Sequence, residues 1–145
     1  IFVNLTVYEN VALAIRKDNS NGEENSVSEV LSKVGLLDRI EQRSGDLSYG
    51  HQRLLELAMG MAQKPKLLIL DEPTQGLSDS EIENFKKLIK DISSSTTILL
   101  IEHNMDVVMS ITDNISVLHF GEIIADGDKE TIQNDPIVQK AYLGD

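Results

Sequence analysis

The spacing of apolar positions changes at Pro65, near the middle of the 145-residue chain. Before it, apolar residues recur every three or four positions in three segments, which predicts three amphipathic helices. The polar residues 17–25 are predicted to form a loop between the first two helices, and the third is expected to end near Gln63. The predicted starts are capping residues: Thr6 with Glu9, Ser26 with Glu29, and Ser48.

In the second half of the chain, short apolar runs alternate with amphipathic stretches. Residues 67–70 and 97–101 show no polar alternation, which predicts strands buried on both faces. A helix capped by Ser78 with Glu81 is expected between them, and residues 115–125 predict a hairpin. This order of strands and helices predicts an α/β fold with parallel strands.

Composition narrows the class of protein and marks a boundary. The chain has 13 basic and 24 acidic side chains, which argues against nucleic acid as a partner. It has no cysteine, so a disulfide framework and a thiolate zinc site are excluded, and no apolar run approaches the ~18–20 residues of a membrane span. The acidic excess is concentrated after residue 65, so we expect a helical subdomain at 1–65 and a second domain at 66–145.

Two adjacent carboxylates, Asp71 and Glu72, directly follow the apolar run 67–70. Ligands of open α/β sheets bind at the carboxyl ends of the strands, so both acids are candidate site residues. Asp71 could hold Mg²⁺ through water, and Glu72 could polarise a water molecule for attack on a phosphoryl group. The alternative is an ordinary acidic loop that caps a strand.

Two further segments could bind an anion. Ser48 is a natural N-cap, and Gly50 would let a ligand approach the free N–H groups at the start of the third helix. His103 follows the strand 97–101 and could contact a terminal phosphate or position the attacking water. The alternatives are an ordinary capped helix and a solvent-exposed loop histidine.

Taken together, these segments resemble the ATP-binding subunits of ABC transporters over essentially the whole chain. The sequence LSYGHQR resembles the signature motif, LLILDEP the Walker B strand with its catalytic glutamate, and residues 76–79 the D-loop, while His103 resembles the switch histidine. The sequence IEHNMDVV and the ending AYLGD are most similar to importers of branched-chain amino acids. The fold implied is a partial P-loop NTPase: the helical subdomain, the later parallel strands of the core with flanking helices, and a C-terminal hairpin.

The resemblance implies an ATPase that uses ATP and Mg²⁺ at an interface between two subunits. Asp71 would hold Mg²⁺, Glu72 would activate water, and His103 would contact the γ-phosphate. Asp79 would link the two sites across the interface. The signature residues would cover the γ-phosphate held by the other subunit. The cofactor-binding positions implied are Ser48, Tyr49, Gly50, His51 and Asp79.

The implied partners are a second ATP-binding subunit, transmembrane permease subunits and, indirectly, a substrate-binding protein. The implied location is cytoplasmic, peripheral on the inner face of the cell membrane. Two alternatives remain at this point: a soluble, non-transport ABC-type ATPase, and an interaction module that binds no nucleotide.

Two departures from the family pattern matter. His51 stands where the family usually has glutamine, and the phosphate-binding loop G-x-x-x-x-G-K-S/T is absent, because no glycine precedes a lysine. We therefore expect these residues to be part of a longer protein and, in isolation, to be inactive. We also expect them to self-associate, since at least one face of the remaining sheet would be left apolar.

Overall fold

The computed structural model describes residues 1–15 and 23–143. Contacts divide the chain into two compact units, Ile1–Glu102 and His103–Asp145, which are described separately below. The predicted boundary at residue 65 rests on other criteria, the change in apolar spacing and the concentration of acidic residues after it, and it stays a prediction.

Three helices fill the first part of the first unit: α1 (Val7–Ala14), α2 (Glu23–Lys33) and α3 (Tyr49–Ala62). The capping box of Thr6 with Glu9 and the N-cap Ser48 are confirmed. The start predicted at Ser26 is wrong, because α2 begins three residues earlier. Glutamates are good helix formers and favour the first turn of a helix, so the local sequence at 23–25 supports the earlier start.

A buried polar cluster ties α1 to the loop that precedes α3. The fully buried Asn10 donates hydrogen bonds from Nδ2 to the Ser44 hydroxyl (2.7 Å) and to the carbonyls of Phe2 (3.1 Å) and Thr6 (2.9 Å). The Gln52 amide of α3 donates to the Ser44 carbonyl at 3.2 Å. The start of α3 is therefore held by hydrogen bonds between side chains and backbone rather than by its own turn alone.

The rest of the first unit is a strand, helix and strand: β1 (Leu67–Asp71), α4 (Asp79–Ser93) and β2 (Thr97–Ile101). The strands pair in parallel, as predicted, from Leu67 opposite Thr97 to Asp71 opposite Ile101. Burial alternates along β1, where Leu68 and Leu70 are buried. The prediction of burial on both faces is wrong for these residues, because alternate side chains are about half exposed: Leu67, Ile69, Leu99 and Ile101.

The second unit contains α5 (Met105–Ile111), β3 (Ile115–His119), β4 (Glu122–Gly127), α6 (Lys129–Asn134) and α7 (Pro136–Val138). The strands β3 and β4 form the predicted antiparallel hairpin, with a register shift between Val117 and Leu118. An apolar cluster lies in the core of this unit: Val108, Ile115, Val117, Ile132 and Val138. Within the described part of the chain, no helix is long and apolar enough to cross a membrane.

Candidate functional site

The carboxyl ends of β1 and β2 carry three acidic residues of the first unit. Asp71 is the exposed last residue of β1, and Glu72 follows it with φ at +45°. The Glu72 amide donates to the Ile101 carbonyl at 2.9 Å, so strand pairing continues one residue past β1. Parallel pairing therefore puts Asp71 and Glu72 at the same sheet edge as Glu102, which follows β2 directly.

Thr74 and Glu102 form a contact that the sequence analysis did not predict. Both the amide and the hydroxyl of Thr74 donate to Glu102 Oε1, the amide at 3.1 Å, and Thr74 is only 6% exposed. Glu102 therefore holds the turn that follows Glu72 against the end of β2. The sequence did contain one signal for this contact, because an acidic residue stands at the end of both predicted strands.

Ser48 is confirmed as the N-cap of α3, and its hydroxyl also contacts the imidazole ring of His51. The Ser48 hydroxyl accepts from the His51 amide at 3.3 Å and lies 2.9 Å from His51 Nδ1. Gly50 is buried, and a Cβ there would lie 3.1 Å from Leu77 and 3.3 Å from Glu81 Oε1. The first turn of α3 is thus packed closely against the start of α4 and the residues before it.

Tyr49 packs on the turn that precedes α4. A Cβ built on Gly76 would lie 2.5 Å from Tyr49 Cδ1, and Gly76 has φ at +79°, which side-chain-bearing residues rarely adopt. The Arg53 guanidinium lies 5.4 Å from the centre of the Tyr49 ring and pairs with Glu56 at 2.9 Å. The predicted signature and D-loop segments are therefore in contact within one chain.

Glu81 is the charged residue at this contact. Its Oε2 accepts from the Ser78 amide at 2.7 Å and from the Ser78 hydroxyl at 2.6 Å, which forms the predicted capping box of α4. The Ser78 hydroxyl, then the Ser78 amide and, with a smaller effect, His51 hold the pKa of the Glu81 carboxyl below its usual value. Asp79 is the exposed first residue of α4.

His103 is the first residue of the second unit. It directly precedes Asn104, whose side chain accepts from the Val107 amide at 3.3 Å and caps α5. The structure thus brings Ser48, Tyr49, Gly50 and His51 together with the turn before α4, and it brings Asp71 and Glu72 together with Glu102. The roles predicted for all these residues stay predictions.

The donor chemistry of the strand edge suits a hard cation such as Mg²⁺. Mg²⁺ prefers oxygen ligands and usually takes one or two protein carboxylates, with water and substrate phosphates completing the shell. Asp71 and Glu72 supply such oxygens. Among residues 1–15 and 23–143, no three His, Asp or Glu side chains converge as a metal-binding group, so this chain would supply only part of the shell.

Residues 1–75 match the family model described as ABC transporter. The chain belongs to the ABC transporter family. The end of this ABC transporter chain, residues 122–145, matches a second model, described as branched-chain amino acid ATP-binding cassette transporter. The resemblance drawn from the signature, Walker B and C-terminal sequences is confirmed.

Two relatives of this ABC chain are high-affinity branched-chain amino acid transport ATP-binding proteins. LivG of Escherichia coli (strain K12) is 44% identical over 117 residues, which are 79% of this chain and 46% of LivG. BraF of Pseudomonas aeruginosa is 45% identical over 117 residues, with the same coverage. The lipopolysaccharide export system ATP-binding protein LptB of Haemophilus influenzae is 33% identical, over 100% of this chain and 62% of LptB. The chain spans about half the length of LivG and BraF.

Solved structures confirm the fold class. An ATP-binding cassette of an ABC transporter superposes with a TM-score of 0.81 at 25% identity, over 95% of this chain and 62% of that one. A nucleotide-free ATP-binding cassette gives 0.79 at 26% identity, over 98% and 64%. The ABC chain therefore has the predicted partial ATPase fold.

Proposed function

We propose that the protein containing these residues is the ATP-hydrolysing subunit of an importer of branched-chain amino acids. The observation that carries this proposal is the parallel strand edge at which Asp71 and Glu72 leave β1 beside Glu102, in a chain 44% identical to LivG. Adjacent carboxylates at that edge suit the transfer of a phosphoryl group from a nucleotide to water.

In this proposal the two carboxylates have different tasks. Asp71 would hold Mg²⁺ through water, and the ion, when bound, would neutralise charge that develops on the phosphate oxygens. Glu72 would accept a proton from the attacking water. The backbone pairing of Glu72 with Ile101 and the contact of Thr74 with Glu102 support this role, because they fix the chain on both sides of the base.

The signature residues would act on ATP held by a second ATP-binding subunit. Ser48 and Gly50 lie at the first turn of α3, where N–H groups and the positive end of the helix dipole attract a phosphate. His103 would contact the γ-phosphate, and Asp79 would link the two sites. The packing of Tyr49 on Gly76 supports this link, because it puts the signature turn in direct contact with the segment before α4.

The proposed partners include membrane-embedded permease subunits and, indirectly, a substrate-binding protein. The proposed location is the inner face of the cell membrane, with the helical part docked on the permease. A second copy of these 145 residues is a further proposed partner of the isolated chain. The half-exposed apolar face of β1 and β2 supports this last proposal.

Residues 1–145 by themselves are proposed to be inactive. They contain no glycine followed by lysine, so they cannot supply the backbone cradle and lysine of a phosphate-binding loop. Calorimetric titration of the isolated chain with MgATP should show weak binding or none, whereas a micromolar dissociation constant would contradict this part of the proposal.

The decisive experiment uses the intact protein with its permease in membrane vesicles. We expect ATP hydrolysis coupled to uptake of labelled leucine, isoleucine and valine, and no comparable uptake of methionine. The variant Glu72→Gln should abolish uptake, while Glu83→Gln, which removes an exposed carboxylate from α4, should leave it unchanged. Hydrolysis without uptake of any amino acid would contradict the transport function, and the absence of hydrolysis would contradict the ATPase function.

A further inference from the structure

Glu72, the proposed base, has a backbone conformation that glutamate rarely adopts. Its φ is +45°, in the left-handed region, where the Cβ of an L-residue crowds the following carbonyl oxygen. The next residue, Pro73, opposes this conformation further, because a proline favours an extended backbone with negative φ at the residue before it. Such a conformation persists only when the surrounding structure holds it.

The sheet holds the chain on one side of Glu72. The Glu72 amide donates to the Ile101 carbonyl at 2.9 Å, directly after the paired residues Asp71 and Ile101. This bond fixes the amide nitrogen, but rotation about the φ and ψ bonds of Glu72 leaves that nitrogen in place. The direction of the chain after Glu72 therefore needs a second attachment.

Two overlapping turns follow Glu72. The Gln75 amide donates to the Glu72 carbonyl at 3.2 Å, with Pro73 at the second position of the turn, which favours proline. The Leu77 amide donates to the Thr74 carbonyl, also at 3.2 Å. Both bonds lie within the segment itself, so neither of them attaches the two turns to the strands.

Glu102 attaches these turns to the end of β2. Its Oε1 accepts from the Thr74 amide at 3.1 Å and from the Thr74 hydroxyl, across 28 positions of the sequence. The amide bond fixes the backbone of the turn, and Thr74 is buried, so its donors are costly to leave without an acceptor. Glu102 directly follows Ile101, so two adjacent residues hold the chain on the two sides of Glu72.

We propose that Glu102 is a positioning residue that keeps Glu72 in its left-handed conformation and its carboxylate in place to accept a proton. The property that Glu102 supplies is a fixed acceptor oxygen for Thr74, and its negative charge is not required. Without this acceptor, the turn is free to move and Glu72 relaxes to negative φ, which displaces its Cβ and its carboxylate. This proposal rests on the proposed function, in which Glu72 is the base.

Single-turnover hydrolysis by the intact protein at saturating MgATP tests the catalytic consequence. Glu102→Ala removes the acceptor and should slow hydrolysis about 10–100-fold, the size expected for a misplaced catalytic group, without weakening ATP binding. Glu102→Gln keeps an acceptor oxygen and should retain most of the wild-type rate. The control Glu83→Ala removes an exposed carboxylate of α4 and should change neither the rate nor ATP binding.

The two Glu102 variants distinguish an acceptor from a charge. Hydrolysis as slow in Glu102→Gln as in Glu102→Ala would overturn the proposal, because the charge would then be the required property. If Glu102→Ala does not fold, Thr74→Val tests the same contact from its other side. It removes the hydroxyl donor, keeps the amide donor and should slow hydrolysis by a smaller factor, roughly two- to tenfold. An unchanged rate in Thr74→Val would then overturn the proposal.

Crystal structures of the intact protein and its variants give a readout that does not depend on activity. We expect Glu72 to have positive φ in wild type and in Glu102→Gln, and negative φ in Glu102→Ala. A Glu72 that keeps its positive φ in Glu102→Ala would overturn the proposal, because the other contacts would then be sufficient to hold it.

The outcomes separate the two proposals. Equal hydrolysis rates in wild type and Glu102→Ala would overturn the role of Glu102 and leave the proposed function intact. The absence of hydrolysis in the intact wild-type protein would contradict the proposed function and, with it, the role of Glu102 in catalysis.

Discussion

The two candidate regions of the first unit are built in different ways. At the strand edge, Asp71 and Glu72 are positioned by backbone hydrogen bonds between β1 and β2. At the start of α3, Ser48, Tyr49 and His51 are positioned by side-chain contacts with each other and with the residues around the start of α4. One region depends on strand register, and the other depends on how two helix ends pack.

This difference indicates how each region should respond to substitution. Replacing the side chain of Asp71 or Glu72 leaves the ladder of backbone bonds in place, so the effect should fall on chemistry rather than on stability. A change at the start of α3 alters the packing that holds the region, so its effect should extend to stability. Three substitutions test this contrast, from the largest expected effect to the smallest.

The largest effect is expected for Glu72→Gln in the intact protein. If Glu72 accepts the proton of the attacking water, ATP should still bind, and hydrolysis should slow by about 10²–10⁴-fold. Stability should change little, because the backbone bond from Glu72 to Ile101 remains. Single-turnover hydrolysis and urea denaturation measure the two quantities, with Glu83→Gln as the control. Hydrolysis within a few-fold of wild type would mean that Glu72 is not the base.

A smaller, purely structural effect is expected for Gly76→Ala. Both Gly76 and Gly35 have positive φ, but a Cβ at Gly35 would meet nothing within 4 Å, whereas at Gly76 it would meet Tyr49 at 2.5 Å. Gly35→Ala should therefore lower the free energy of unfolding only through backbone strain, by about 1–2 kcal/mol. Gly76→Ala should lower it by a further ~1–3 kcal/mol, because the new methyl group overpacks against the Tyr49 ring. Urea denaturation of the intact variants measures the difference.

The same comparison can be repeated in a protein that already carries Tyr49→Ala, which isolates the contribution of the ring. Without the Tyr49 ring, Gly76→Ala should cost no more than Gly35→Ala, because only the backbone strain remains. An equal cost of Gly76→Ala with and without Tyr49 would show that the ring does not pack on this turn in solution.

The smallest effect is expected for Thr74→Val, which changes the strand edge without touching a proposed catalytic residue. Valine keeps the shape of threonine but removes the hydroxyl that donates to Glu102, and the site is only 6% exposed. The free energy of unfolding should fall by about 1–2 kcal/mol. Thr97→Val, the same change at an exposed position of β2, should stay within about 0.5 kcal/mol of wild type. Equal stability of both variants would mean that the Thr74 bond contributes nothing.

Features encoded within a few residues could be predicted from the sequence. The caps Thr6 and Ser48 and the capping box of Ser78 with Glu81 are confirmed, because each requires only residues three apart on one turn. The parallel strands and the hairpin are also confirmed. The start assigned to α2 is wrong, since a serine followed three residues later by glutamate also fits inside a helix when the preceding residues are helix formers.

Burial could be predicted only in part. The apolar runs of β1 and β2 correctly predicted strands, but their composition describes a sheet covered on both faces. In this chain, alternate side chains of both strands are half exposed. The apolar composition of a strand indicates that both of its faces can be buried. Which face is covered in the folded chain depends on the other elements that pack there.

The sequence by itself determined the family, the strand that carries Asp71 and Glu72, and the cap of the signature helix. Only the tertiary structure decided that Glu102 holds Thr74, that Tyr49 packs on Gly76, and that Glu81 faces His51. These pairs are separated by 27 to 30 positions in the sequence. No local periodicity or cap relates such residues, because their contacts arise only when parallel pairing and the packing of helix ends bring separate elements to one place.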